Sequence, residues 1–190
     1  KDTSLVNFLK EKFTRELRDD SLELIEGDVL KFSNYLLLPT NYLLVGNIPY
    51  NITGEIFRKF LETERQPDSI TFVIQKEVAE RIVAKNNKES VLSISVKAYG
   101  EPVLGGTIKA GSFVPAPKVD SAIIAVRNLN KERFEKAKIK ENDFFKILKT
   151  GFAHKRKLLL NNLSVSKTVF DTVNLNTKVR AEDLTVDDWF

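Results

Sequence analysis

The sequence predicts an α/β domain whose sheet finishes with an antiparallel hairpin, followed by a small all-helical region. Three observations predict it. Helix and strand patterns alternate along the first part of the chain, and closely spaced strands follow. Beyond residues 128–132 only helical spacing recurs. Between these, an apolar run hands a polar tetrapeptide, Asn47-Ile48-Pro49-Tyr50, to a helix.

Residues 3–18 place Leu5, Phe8, Leu9, Phe13 and Leu17 on one face, the pattern of an amphipathic helix. A short strand, Leu22-Glu23-Leu24-Ile25, is expected next, ending at Glu26-Gly27-Asp28. After a loop with Pro39, a buried strand over 42–46 delivers Asn47. A helix over 53–64, a strand over 69–74 and a helix over 75–85 follow. Leu92-Ser93-Ile94-Ser95-Val96 alternates and predicts a strand. Val103 to Ala110 reads as a strand bent at Gly105-Gly106, and Ala122 to Val126 as the last strand. Asn128, Asn130 and Lys131 break the apolar pattern, so the boundary is set between a 1–128 domain and a 129–190 domain. The second contains helical segments near 141–150, 155–163 and 165–173, and a helix start near 185.

Composition narrows the function classes. The 190 residues are 42% hydrophobic, enough for one sizeable domain with or without an appendage. Cysteine is absent, which excludes disulfides, thiol nucleophiles and Cys-based metal sites; one histidine, His154, excludes a His-rich metal site. No metal site is expected. No apolar run is long enough to span a membrane and no signal-peptide pattern opens the chain, so the default location is the cytoplasm or another reducing aqueous compartment. A net charge of +4 makes the distribution of charge more informative than its total. The chain begins with Lys1, contains no methionine, and ends just after a helix-start pattern at Thr185 and Asp188. Both termini are therefore expected to be cut.

Asn47-Ile48-Pro49-Tyr50 stands where strand gives way to helix, the place where open α/β sheets bind ligands. Its chemistry suits methylation of an exocyclic amine on a flat base. Such an amine is a poor nucleophile because its lone pair is delocalised into the ring. The Asn47 side-chain oxygen and the Ile48 carbonyl are placed to accept both amine hydrogens and hold the nitrogen near tetrahedral geometry. Pro49 fixes the turn, and Tyr50 stacks on the base, a contact worth roughly 1–3 kcal/mol. A plain strand-end turn with an Asn cap and a core tyrosine uses the same residues. The stiff segment from Phe113 through Pro115, Pro117 and Lys118 to Ala122 offers a second aromatic face in Phe113 and a phosphate contact in Lys118. The alternative there is a rigid loop with Phe113 in the core. Asp28 suits the adenine amine of a cofactor, or else a cap on its own turn.

From Phe144 to Phe170 the chain carries Lys146, Lys149, Lys155, Arg156, Lys157 and Lys167 and no acid. His154 to Lys157, with Asn161-Asn162, predicts a basic, amide-rich surface for a phosphate backbone, the alternative being a solvated helix face.

Taken together, these residues closely resemble the KsgA-type ribosomal RNA adenine dimethyltransferases. The likeness rests on Asn47 to Ile52, Gln75 to Ile82, Phe113 to Ala122, Lys155-Arg156-Lys157 with Asn161-Asn162-Leu163, and Arg180 to Leu184. It implies a Rossmann-like, S-adenosylmethionine-dependent enzyme, here lacking its N-terminal part, that dimethylates two adjacent adenosines near the 3′ end of small-subunit ribosomal RNA. By that resemblance Asp28 and Asn47 contact the cofactor, and Asn47, Ile48, Pro49, Tyr50 and Phe113 form the catalytic site. Lys118, Lys155, Arg156 and Lys157 hold RNA. The partner is the small ribosomal subunit and its RNA, and a monomer suffices. Family members carry a glycine-rich loop and a ribose-binding acid that this chain lacks, Lys1-Asp2 resembling the stretch just beyond that acid. The fragment alone is therefore expected to bind S-adenosylmethionine poorly and to be inactive. Macrolide-resistance methyltransferases acting on large-subunit RNA, which share the tetrapeptide, and a non-catalytic assembly factor of the same fold are the alternatives.

Overall fold

The computed structural model describes residues 2–32 and 41–190, and the chain divides into two units, Lys1–Leu38 and Pro39–Phe190. Lys1 and the loop expected around Pro39 lie outside the described residues.

In the first unit, α1 (Thr3–Lys12) starts at Asp2, whose Oδ1 accepts the Leu5 N–H at 3.0 Å. The single helix expected over 3–18 is broken at Phe13, and α2 (Thr14–Arg18) follows. The Thr14 hydroxyl donates back to the carbonyls of Lys10 and Glu11 at 3.0 and 2.7 Å, competing with the helix ladder at the break. The expected apolar face is not covered: Leu5 and Phe8 are about half exposed and Val6 is buried instead. Leu22 to Ile25 is not a strand. Leu22 and Leu24 are half-buried between exposed Glu23 and Ile25, so the alternation survives, but no ladder partner is present among the described residues.

The second unit is built on a four-stranded sheet in the order β1-β2-β4-β3, with β1 (Leu43–Asn47), β2 (Ser69–Gln75), β3 (Glu101–Ile108) and β4 (Ser121–Arg127). β1 and β2 are parallel and joined by α3 (Thr53–Leu61); β2–β4 and β4–β3 are antiparallel. α3 buries Ile56, Phe57, Phe60 and Leu61, the 3.6-residue stripe its sequence shows. Phe57 meets Phe72 of β2 edge-on at 5.1 Å. Ile70, Phe72 and Ile74 alternate inward on β2 and are sealed from solvent. β3 carries its bulge at Gly105-Gly106, between Leu104 and Thr107; a Cβ on Gly105 would sit 3.2 Å from the Ile123 carbonyl. Pro102 is tolerated because β3 is an edge strand.

α4 (Lys76–Ile82) leaves β2 directly. The strand expected at 92–96 is instead helix α5 (Val91–Lys97). Ser90 and Ser93 form a capping box, the Ser93 hydroxyl donates to the Ser90 carbonyl at 2.9 Å, and Ser95 donates to the Val91 carbonyl at 2.6 Å. Small side chains satisfied by their own helix can be buried, so the Ser positions did not mark a solvent face.

After β4 come α6 (Glu132–Ala137), absent from the sequence reading, α7 (Glu141–Gly151), α8 (Leu159–Leu163) and α9 (Lys167–Thr172). α6 is too short to display a helical period; Phe134 anchors it against the rings of Tyr99, Phe144 and Phe190. Leu159, Phe170, Ala181 and Leu184 form the core of the helical segment, with Phe152 and Trp189 stacked at 5.7 Å beside it. Thr185 and Asp188 cap each other, and a 3-10 turn over Asp187–Trp189 follows. Among the described residues no helix is long and apolar enough to cross a membrane.

Candidate active site

The site grows from the C-terminal end of β1. The parallel register pairs Asn47 with Val73, and the Ile48 N–H donates to the Val73 carbonyl at 3.0 Å, extending the ladder one residue past the strand. Ile48 points its side chain inward, over Gly46, where an added Cβ would lie 2.8 Å from Ile48 Cδ1. Pro49, at φ −54°, starts a 3-10 turn over Tyr50–Ile52; its carbonyl accepts the Ile52 N–H at 3.1 Å. The Thr53 hydroxyl donates to the Tyr50 carbonyl at 3.2 Å and leads into α3.

These bonds use the acceptors of Pro49 and Tyr50 and leave two others over. Among the described residues, neither the Asn47 side-chain amide nor the Ile48 carbonyl has a hydrogen-bond partner. Asn47 is exposed and Tyr50 half-buried.

A second set of residues at the site comes from the segment between β3 and β4. A 3-10 turn over Ala110–Ser112 leads into extended Phe113; Val114 is fully exposed and the Val114–Pro115 bond is cis. Asp120 ties the two ends of this segment together. Its Oδ1 accepts the Ala110 N–H at 3.0 Å, its Oδ2 pairs with Lys109 Nζ at 3.0 Å, and its carbonyl accepts the Lys76 N–H at 3.0 Å. The Ala110 N–H first, and then Lys109, holds the Asp120 carboxyl below its ordinary range.

Asn47, Ile48, Pro49, Tyr50, Phe113, Pro115 and Pro117 line one cleft of about 280 Å³. All five residues expected to act on the base therefore lie together. Tyr50 and Phe113 both line the cleft, are half-buried, and form no ring contact with each other. Sequence reasoning missed the groups that hold these walls: Asp120, and Ser121, whose Oγ lies 2.9 Å from the Tyr50 hydroxyl. Both were in view within the Phe113 to Ala122 motif, but neither has a local pattern that points across 71 residues to Tyr50.

The remaining predicted residues belong to other segments of the chain. Asp28 belongs to the first unit, where its Oδ1 accepts the Leu30 N–H at 3.1 Å. Lys118 is exposed and does not line the cleft. Lys155, Arg156 and Lys157 are exposed on the turn after α7, and none forms an ion pair with a described residue. The helix expected from residue 155 begins only at Leu159. Asn162 does not join a polar surface there: its Nδ2 donates inward to the carbonyls of Gly151 and His154 at 2.6 and 3.1 Å, bracing the basic turn.

A strand-end cleft lined by two unpartnered acceptors and two aromatic side chains is matched by the family comparison. The model of the "Ribosomal RNA adenine dimethylase" family matches residues 1–190. The chain belongs to this family. Among its relatives, "Ribosomal RNA small subunit methyltransferase A" of Dehalococcoides mccartyi is 37% identical over 99% of the chain and 66% of the relative. The protein of the same name from Fusobacterium nucleatum is 35% identical over 98% of the chain and 72% of the relative. This family member thus spans about two thirds of the length of the first of these. A dimethyladenosine transferase from Plasmodium falciparum superposes with a TM-score of 0.80 at 22% identity, covering 99% of the chain and 76% of that structure. The 23S rRNA methyltransferase ErmE gives 0.72 at 20%, with the same coverage. Both share the Rossmann-like methyltransferase fold of this chain.

Proposed function

We propose that the protein carrying this chain dimethylates the exocyclic amines of two adjacent adenosines near the 3′ end of small-subunit ribosomal RNA. The observation that carries this reading is the single cleft lined by Asn47, Ile48, Pro49, Tyr50 and Phe113, with two hydrogen-bond acceptors left open at its mouth. The amide oxygen of Asn47 and the carbonyl of Ile48 accept the two amine hydrogens and localise the nitrogen lone pair. Tyr50 and Phe113 take the two faces of a base extracted from its stack. The amine turns acidic as its new bond forms, so the site needs no base of unusual pKa, and positioning supplies most of the rate. S-adenosylmethionine supplies the electrophilic methyl group. Asn47 would hold it; its unpartnered side-chain amide at the cleft fits such a neighbour.

In this reading residues 1–128 hold cofactor and base. Residues 129–190 present Lys155, Arg156 and Lys157 to the RNA backbone, with Lys118 a further phosphate contact. The protein acts as a cytoplasmic monomer on the small subunit. The names of the curated relatives favour that subunit over the large one. Incubating the intact protein with labelled S-adenosylmethionine and each purified subunit tests this. Label is expected in small-subunit RNA; label confined to the large subunit, or to neither, defeats the proposal.

A further inference from the structure

The geometry points to Ser121 as a positioning residue that fixes the direction in which the Tyr50 ring projects, and through it the place of the captured base. This rests on the proposed role of Tyr50 as a stacking wall.

A tyrosine at the rim of an open cleft has two free torsions, and rotation about either swings its face away from a base. The backbone of Tyr50 is held by the 3-10 turn and by Thr53, but that leaves its ring free. The far end of the ring is caught instead: the hydroxyl and Ser121 Oγ are 2.9 Å apart. With the Cα end and the para oxygen both tethered, the ring axis holds one direction and the ring cannot swing out of the cleft, turning only about that axis.

Ser121 is well placed to act as the fixed point. It is 1% exposed and is the first residue of β4. It pairs with Gln75 of β2 on one side and Ile108 of β3 on the other, so it sits in the interior of the sheet. A buried hydroxyl needs a partner, and Tyr50 is the one its Oγ finds. The preceding residue, Asp120, closes the segment that carries Phe113 through the Ala110 N–H. Two consecutive side chains at the start of β4 thus hold the two walls of the cleft. Stacking alone requires only the ring of Tyr50, whereas this arrangement also requires its oxygen.

That difference gives the test. In the intact protein, Ser121→Ala and Tyr50→Phe are each expected to lower kcat for RNA methylation about fivefold to tenfold, the scale of one ordinary hydrogen bond. KM for RNA is expected to stay within about twofold, because phosphate contacts set most of RNA affinity. The double variant is expected to lose no more than either single one, since both remove the same bond. Melting curves on the same preparations check that each variant is folded. A kcat within twofold of wild type for Tyr50→Phe or Ser121→Ala overturns the inference, as does a double loss equal to the product of the two singles. If the wild-type protein transfers no methyl group at all, the reading of the site fails and this inference falls with it. A methylating wild type beside unaffected variants sinks only the inference.

Discussion

The end of β1 and the basic turn after α7 are both proposed to meet RNA, yet they are built in opposite ways. At Asn47 to Tyr50 the Ile48 N–H and the Pro49 and Tyr50 carbonyls are bonded to Val73, Ile52 and Thr53, and the Tyr50 hydroxyl meets Ser121 of β4. At Lys155 to Lys157 the cations are exposed and unpaired among the described residues; only the backbone beneath them is braced, by Asn162. The difference reflects range. Alkylating one nitrogen requires short contacts with fixed geometry. Gripping a phosphate backbone needs charge, which acts over a Debye length and tolerates movement.

The sharpest way to break this comparison is Asn47→Ala. Methyl transfer is expected to fall at least about a hundredfold, the loss typical of removing one oriented polar group at a reacting centre. RNA affinity is expected to stay within about twofold. Labelled transfer and filter binding on one preparation separate the two; a parallel loss of both would erase the distinction between the regions. The converse variant replaces Lys155, Arg156 and Lys157 with Ala. Affinity for small-subunit RNA is expected to drop by tenfold or more near physiological salt, and the slope of log affinity against log salt to flatten by about two to three units. At saturating RNA, kcat should be retained.

A matched pair of glycine substitutions probes packing in the two regions. In α7, a Cβ on Gly151 would meet the Trp189 ring at 2.5 Å and Leu159 at 2.9 Å, so Gly151→Ala is expected to cost about 1–3 kcal/mol. In α3, beside the cleft, a Cβ on Gly54 meets nothing within 4 Å, so Gly54→Ala is expected to stabilise by up to about 1 kcal/mol. Denaturant melts of both variants measure the contrast.

The smallest effect concerns the Phe113 wall. Asp120 has its folded pKa depressed, by the Ala110 N–H foremost, so its contribution is present above the unfolded value of about 3.9. That contribution is lost as pH falls through the lower folded value. Asp120→Asn is therefore expected to melt slightly below wild type at pH 7, and the gap to narrow as the pH falls below about 3.9. A gap that widens on acidification would contradict the stated cause of the shift.

Much of this molecule was legible in the chain. The βαβ unit from β1 to β2, the bulged hairpin of β3 and β4, and the helices near 141 and 167 follow from local periodicity and turn chemistry. Those are properties of neighbouring residues. The tetrapeptide and the Phe113 segment could likewise be recognised as chemistry because each is contiguous. What the chain concealed depended on partners far along it. Leu22 to Ile25 alternates like a strand but has no ladder in the described residues. Leu92 to Val96 alternates too, yet folds as a helix because its serines bond to their own backbone and can be buried. That Tyr50 reaches Ser121 and shares a cleft with Phe113 was decided only by the sheet order β1-β2-β4-β3, which sets strands far apart in sequence side by side. Local pattern determines which elements form; burial and strand pairing, which are summed over the whole fold, determine which side chains meet.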